Sequence, residues 1–486
     1  QEGDSVTIPS SWTRLVLDVK TPPLNVVRVF GTLVFADGIN AEDEGNRRRR
    51  LTQDSEEVDV ALDAEIIVVD GGELVIGTRA EPFQGRARIT LRGQRDTQQW
   101  AVTNDLNLGQ KSLAAINGGL ISIHGVPVNP RWTKLSQSAL AGDNAIWLTE
   151  AVNWRAGDRI VITSGSWNRE EVEEAVVSEV TERGRRVVLE SALALDHSGT
   201  HFRSASDLSK PEVNTFPEVG LLSSNILIAP DDGPAQDAGW KAEGDGLLRA
   251  TCHPSNNGKM CAFGAMIIAH GAETVLQISD VEMRYMGQAG VERPAVDFRS
   301  GGGAEIPNSY LRRSSISHSM AGAVRVSSRG VQISDNVLWG SLDESTVLVK
   351  SSGGACEITD NLAFGTIKIS EGKSSFDLEL PATFEMKHWS PLSVLRGNVA
   401  AGADRTGFHI AGDACSVPAD ERNFRDNIVH SSLVGVILEA GPAGCTALTS
   451  MIIHHTWDFG VLAGLGGIGT DVVLERVVVS DVKHKG

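Results

Sequence analysis

The sequence predicts an all-β protein whose second half is a parallel β-helix, and three observations carry that prediction. The first is a polar mark recurring between short apolar runs. It stands in Gln332-Ile333-Ser334-Asp335-Asn336-Val337, Glu357-Ile358-Thr359-Asp360-Asn361-Leu362, Leu395-Arg396-Gly397-Asn398-Val399 and Phe424-Arg425-Asp426-Asn427-Ile428-Val429. The asparagines fall 25, 37 and 29 residues apart, which fits a solenoid of short coils carrying insertions. The second is that these runs alternate Val, Ile and Leu over lengths too short for helices. The third is a set of degenerate copies, at Ile278-Ser279-Asp280-Val281, Ser314-Ser315-Ile316-Ser317, Leu448-Thr449-Ser450-Met451 and Leu474-Glu475-Arg476-Val477. An asparagine suits the corner of a coil because it tolerates a left-handed backbone and its amide can bond the asparagines above and below. A β-sandwich with Asp-Asn turns is the competing architecture, but its turns would not repeat one apolar-Asx-Asn-apolar order.

From the start of the chain the pattern is strand after strand with glycine turns. Val6-Thr7-Ile8 leads to Arg14-Leu15-Val16-Leu17, and residues 25–35 read as two short strands about Gly31. Residues 65–78 repeat the device about Gly71-Gly72, and residues 118–125 repeat it again. Glycine is expected to supply positive-φ corners there. Residues 135–204 read as a small antiparallel β unit with a charged outer face, packed on the solenoid. One stretch departs from its surroundings: residues 37–58 hold Arg47-Arg48-Arg49-Arg50 in an acidic envelope. Its readings are a polyanion patch or protease-processing site, and a solvated insertion whose charges neutralise each other.

The chain of 486 residues has 51 Gly, 2 Tyr and 41% hydrophobic residues, a composition suited to strands and turns around a real core. A net charge of −18 disfavours nucleic acid or an anionic membrane surface as partner. No run of 18 or more apolar residues exists to span a membrane. No signal peptide is evident, and the opening Gln1-Glu2-Gly3-Asp4 reads as a mature protein or a segment of a larger one. Five cysteines all lie in the second half. Cys252 and Cys261 bracket a polar loop of the sort a disulfide staples, zinc ligation being the other reading. Cys415 and Cys445, one coil apart, can pair and leave Cys356 free. No phosphate loop, nucleophile elbow, zinc signature or calcium-binding repeat appears, and Gly301-Gly302-Gly303 lacks the strand–helix context of a nucleotide site, so no cofactor and no metal are expected.

The segments "GDSVTIPSSW", "LVLDV", "GTLVF", "AEIIVVDGGELVIGT", "ITLRG", "NGGLISIHG" and "WTKL" occur in the order in which they closely resemble a G8 domain. "RAGDRIVITS", "LDHSG" and "EVGLLSSNILI" then resemble the stretch downstream of that domain in the fibrocystin-like family, as do the repeats. The resemblance implies a right-handed parallel β-helix over residues 205–486, a G8 β domain over 1–134 stacked on it, and the small β elaboration over 135–204 between them. It also implies two functional branches. One is similar to cell-surface proteins associated with hyaluronan cleavage; the other, with fibrocystin and fibrocystin-L, comprises large cell-surface and ciliary proteins.

The branches should differ in the first full coil, where the resemblance leads one to expect a Pro-Ile-His-Phe-His strand in the cleaving relatives. This chain has Pro294-Ala295-Val296-Asp297-Phe298-Arg299. Asp297 and Arg299 replace both histidines and remove the imidazole acid/base and metal-ligand candidates from that strand. Two apart, they face one side and can pair with each other. The expected function is therefore a structural and recognition segment, extracellular and at the cell surface or cilium, with no assigned catalytic residue. Its partners would be glycan, neighbouring protein or further domains of a longer chain. The alternative is a hyaluronan-like polysaccharide depolymerase. Elimination from a uronic-acid polymer wants a base beside a cation, which Asp297, Arg299 and His318 would supply, with His388 and Trp389 as a further base and a sugar-stacking ring. His124 is expected to be structural, at the end of the G8 domain. His454 and His455, alternating in and out of a strand, are not expected to share an ion.

Overall fold

The computed structural model describes residues 1–37, 59–94, 100–102, 106–202, 213–231, 240–242, 248–250, 263–289, 291, 293–299, 306, 308–350, 355–368, 381–386, 390, 392–439, 444–464 and 471–484. Three columns of parallel strands run through these residues, and most coils contribute one strand to each column. The first face begins at Leu15–Leu17 and stacks ten strands down to Phe424–Arg425. The second starts from Ala87–Leu91 and passes through Ile226–Pro230 and Glu282–Arg284 to Val478–Val479. The third starts at Val6–Ile8 and Leu24–Val29 and ends at Phe459–Gly464. The eleven-residue strand Val60–Asp70 belongs to both the second and third faces: its first half pairs with Ala87–Leu91 and its second with Ser112–Ile116.

The expected G8 region thus stacks coaxially, with its sheets continuous with those of the later coils. One apolar core runs from Ile8 to Ile453. Phe384 and Phe408 stack inside it with ring centroids 4.9 Å apart. Glycine has two jobs at the early corners. Gly71 and Gly118 take positive φ, whereas a Cβ on Gly72 would lie 2.4 Å from the Gly31 carbonyl oxygen. Close approach of successive coils, rather than φ alone, requires the second glycine.

The asparagine ladder forms, with a correction to its backbone. Positive φ falls on the residue before each asparagine: Asp335, Asp360, Gly397 and Asp426. The asparagine itself turns inward and is buried. Asn336 Nδ2 donates to Asn361 Oδ1 at 2.9 Å, Asn361 Nδ2 to Asn398 Oδ1 at 2.9 Å, and Asn398 Nδ2 to Asn427 Oδ1 at 3.1 Å. Each backbone N–H also donates to the next rung's Oδ1, and each amide reaches back to a carbonyl of the preceding coil. Every polar atom of the corner is thereby satisfied away from water.

A six-stranded antiparallel sheet interrupts the coils. Its order is Trp132–Lys134, Glu218–Leu221, Arg159–Ile162, Glu173–Thr181, Arg186–Leu189 and Ala145–Trp147. The boundary expected at residue 204 leaves out Glu218–Leu221, which pairs here and not with the coils. The sheet has its own core and covers the second face, where Val161 and Leu222 meet Val337, Trp339, Leu362, Phe364 and Val399. Polar ties run the length of the seam: Arg159 to Glu282, Trp132 to the Asp360 carbonyl, Arg169 to Asp404, and Trp167 to the Asp481 carbonyl. At its centre the buried Glu218 carboxylate lies 2.7 Å from Lys134 Nζ and 2.9 Å from His430 Nε2. Burial alone would raise the Glu218 pKa, but Lys134 and His430 hold it well below the usual carboxylate range.

Cys415 and Cys445 form the expected disulfide, and Cys356 is a buried free thiol. Cys252, Cys261, the Arg47 to Arg50 cluster and the Gly301 to Gly303 run lie outside the described residues. No helix among the described residues is long and apolar enough to cross a membrane.

Candidate functional site

Strand alternation puts the middle residue of each three-residue run on the outside of the third face. In register these are Asp297, Arg325, Leu348, Glu385, His409 and Ile437. The polar members engage one another. Asp297 accepts from Arg325 Nε at 3.1 Å and Nη2 at 2.6 Å, and from Arg299 Nη2 at 2.8 Å. Ser345 Oγ donates to Glu385, whose Oε1 lies 3.9 Å from His409 Nδ1; His409 Nε2 is 2.8 Å from Glu439 Oε1. A cavity of about 230 Å³ opens among them, lined by Arg325, Asp343, Glu344, Leu348, Lys350 and Glu385.

Asp297 and Arg299 pair as their spacing suggests. His318 does not join them. It sits in a left-handed corner at the end of the second face, fully buried beneath the inserted sheet, with its ring 4.3 Å from Trp339 and Nε2 3.4 Å from Glu174. Counting one coil along the chain from Asp297 to His318 misses the corner that turns between two faces. His388 and Trp389 lie outside the described residues. Arg325, Glu385 and His409 are members of this face that the sequence did not single out. Their signal is nonetheless present, since Val324-Arg325-Val326, Phe384-Glu385-Met386 and Phe408-His409-Ile410 repeat the apolar-polar-apolar order of Val296-Asp297-Phe298.

Of the other histidine expectations, the one for His454 and His455 changes. His124 is buried where the early coils meet the later ones, its Nε2 2.7 Å from the Tyr310 hydroxyl and its Nδ1 3.2 Å from Ser122 Oγ. Strict alternation of His454 and His455 fails, because His455 occupies a positive-φ corner; their Nδ1 atoms are 3.1 Å apart. Among the described residues no group of three or more His, Cys, Asp or Glu is arranged to hold a metal ion.

The buried histidines predict a pH dependence. Burial lowers the His124 pKa to about 4; burial, then Arg159 and Arg284, puts His318 well below its ordinary value; burial, then His430 and His455, does the same to His454. In the unfolded chain each takes up a proton near pH 6.5. Below that pH the unfolded state binds more protons, so stability present above 6.5 is lost as the pH falls toward the folded values. The thermal midpoint should fall steadily between pH 7 and 5, and His318→Phe should flatten the slope. A midpoint independent of pH over that range would contradict the neutral, buried state of these rings.

On the third face Asp297 is held between two guanidinium groups. The arrangement is suited to holding a polar ligand against paired charges. Comparison with known proteins agrees with the architecture. Residues 1–136 match the G8 domain family and residues 262–436 the CEMIP beta-helix family. The chain is 27% identical over 478 residues to fibrocystin-L of Homo sapiens, covering 94% of this chain and 10% of that protein. It is 26% identical over 484 residues to fibrocystin of Canis lupus familiaris, covering 99% of this chain and 10% of that one. The chain thus spans about a tenth of the length of these curated relatives. Among solved structures, the Gp54 tailspike of Acinetobacter baumannii bacteriophage AP22 is 10% identical with a TM-score of 0.21, covering 96% of this chain and 70% of that one, a likeness too low to carry argument. The chain therefore carries a G8 domain and a CEMIP-type β-helix, and is similar across nearly all of its length to a segment of fibrocystin-L and fibrocystin.

Proposed function

We propose that this chain is a non-catalytic recognition segment of an extracellular protein at the cell surface or cilium, a stiff scaffold whose third face holds a glycan or a neighbouring protein. The observation that carries this reading is the ion-paired state of that face. Asp297 is paired with Arg299 and Arg325, and Arg325, which lines the cavity, is held by that pairing, so the charged groups beside the cavity are fixed in place for contact with a ligand. Similarity to fibrocystin-L and fibrocystin supports the setting. Exposed apolar side chains at both ends of the stack, Val16 and Val19 at one and Leu474 and Val479 at the other, suit docking of further domains of a longer chain.

The depolymerase reading retains one feature, Glu385 near His409 on a cavity that Lys350 also lines. Size analysis of hyaluronan, chondroitin and a neutral glycan after incubation with the purified chain separates the two. The expected result is no shortening, with retention on an immobilised glycan or partner protein. Shortening that disappears in Glu385→Gln, with the fold intact by circular dichroism, would overturn the recognition reading and place catalysis on this face.

A further inference from the structure

A larger groove lies away from that face. The inserted sheet covers the second face only from Glu282–Arg284 onward, so the strands Ala87–Leu91 and Ile226–Pro230 are left as a floor beside it. The loop before Arg159–Ile162 forms a wall over that floor, and the groove between them measures about 730 Å³. That is within the range of ligand pockets and far more than a lone inorganic anion fills.

The charges in the groove do not cancel. Glu282, on one side, is shared by Arg159 at 2.7 Å and by Arg284. Asp231 meets Arg92 at 3.1 Å and Lys111 at 4.0 Å. Burial raises the Asp158 pKa, and its carboxylate accepts from the Arg155 amide at 2.7 Å. Against these, Arg88 bonds only the neutral Thr90 hydroxyl at 3.1 Å, and Arg155 is exposed; neither is in an ion pair among the described residues. Two guanidinium groups outside any ion pair among the described residues therefore line one cavity, Arg155 within electrostatic reach of Asp158, in a chain whose net charge is −18. Arginine's planar fork matches carboxylate and sulfate oxygens. Asn153 brings neutral hydrogen-bonding groups, and Tyr285 and Leu227 bring apolar surface of the kind a sugar ring packs against.

We propose that this groove is a second ligand site, distinct from the third face, and that its ligand is an acidic oligosaccharide whose carboxylate or sulfate groups engage Arg88 and Arg155. The proposal rests on the recognition reading and names a ligand class and a place for it. Mixed polar and apolar walls favour a saccharide over an acidic peptide, which would need only the cations.

The test is calorimetric titration of the intact chain with a chondroitin sulfate hexasaccharide, maltohexaose, inorganic sulfate and hexaglutamate. Variants would be Arg88→Ala/Arg155→Ala and, on the third face, Lys350→Ala/His409→Gln. The groove predicts that the sulfated hexasaccharide binds, that maltohexaose binds at least tenfold more weakly, and that added salt weakens the acidic ligand. It further predicts at least a tenfold loss in the double arginine variant, with an unchanged thermal midpoint, and no loss in the third-face variant. Partial recovery in Arg88→Lys/Arg155→Lys would separate charge from fold. Binding kept by the arginine variant but lost in the third-face variant would overturn the groove and leave the recognition reading standing. Equal binding of inorganic sulfate or hexaglutamate would overturn the saccharide assignment, and absence of binding to any of the four would overturn the groove.

Discussion

Glu218→Ala is expected to destabilise the protein by about 3–5 kcal/mol, the usual cost of removing one partner from a buried ion pair. The carboxylate lies between Lys134 on the inserted sheet and His430 on the second face, and Thr163 Oγ1 donates to it at 2.8 Å. Removing it leaves a part-buried ammonium ion, bonded only to the Asn214 and Phe216 carbonyls, beside an imidazole whose Nε2 has lost its acceptor. The His430 ring also stacks on His454 at 4.9 Å, so the damage should concentrate in the last coils. Chemical denaturation measures the loss, and hydrogen exchange locates it at Glu218–Leu221 and Ile428–His430. A triple change to apolar residues, Glu218→Leu with Lys134→Met and His430→Phe, should recover most of the stability, because replacing a whole buried charge group costs far less than orphaning one member. A Glu218→Ala loss below about 1 kcal/mol would show that the seam is not held by this group.

Asn361→Ala, in the middle of the ladder, should destabilise by about 2–4 kcal/mol, since unmade buried hydrogen bonds cost more than made ones contribute. Asn361 Oδ1 accepts from both the backbone N–H and the side-chain amide of Asn336, and its own amide donates to Asn398 and to the Ile333 carbonyl. Alanine removes all four bonds and strands groups on both neighbours. Asn427→Ala is the comparison: its coil is succeeded by Met451 at the equivalent corner, so its amide donates only to the carbonyls of Leu395 and Arg425. The thermal midpoint should fall further for Asn361→Ala than for Asn427→Ala. Equal losses would mean that the rungs act independently, without support from both sides.

Coil geometry was legible in the sequence because it is local. A left-handed residue, an inward asparagine and a short apolar strand come one directly after another, and each leaves its mark in the residue order. The division of labour inside the corner was less legible, since Asp and Asn both tolerate positive φ and only the stacked structure shows that Asp335 takes it while Asn336 turns in. Burial of the second face was marked more faintly. Val337-Leu338-Trp339 and Leu362-Ala363-Phe364 are apolar on both sides of the strand, the pattern of a sheet covered twice. What covers them could not be read there, because the covering strands lie far earlier in the chain and dock by shape. His318 was misassigned for the same reason: its spacing from Asp297 is visible, but the inserted sheet above it is not. The placing of Arg88 and Arg155 together in the large groove was also hidden, since the two come from separated segments.

The inserted sheet has a mechanical meaning. In a stack of parallel coils the strands lie across the long axis, and their hydrogen bonds point along it. Tension applied end to end would therefore load successive coils in series, and the weakest rung would open first. The inserted strands bypass that series. Anchored at Glu282 near one end of the covered face and at Asp481 near the other, the sheet shares axial load across every coil between them, as a splint does along a jointed rod. A molecule built this way can hold its faces at fixed spacing while it is pulled.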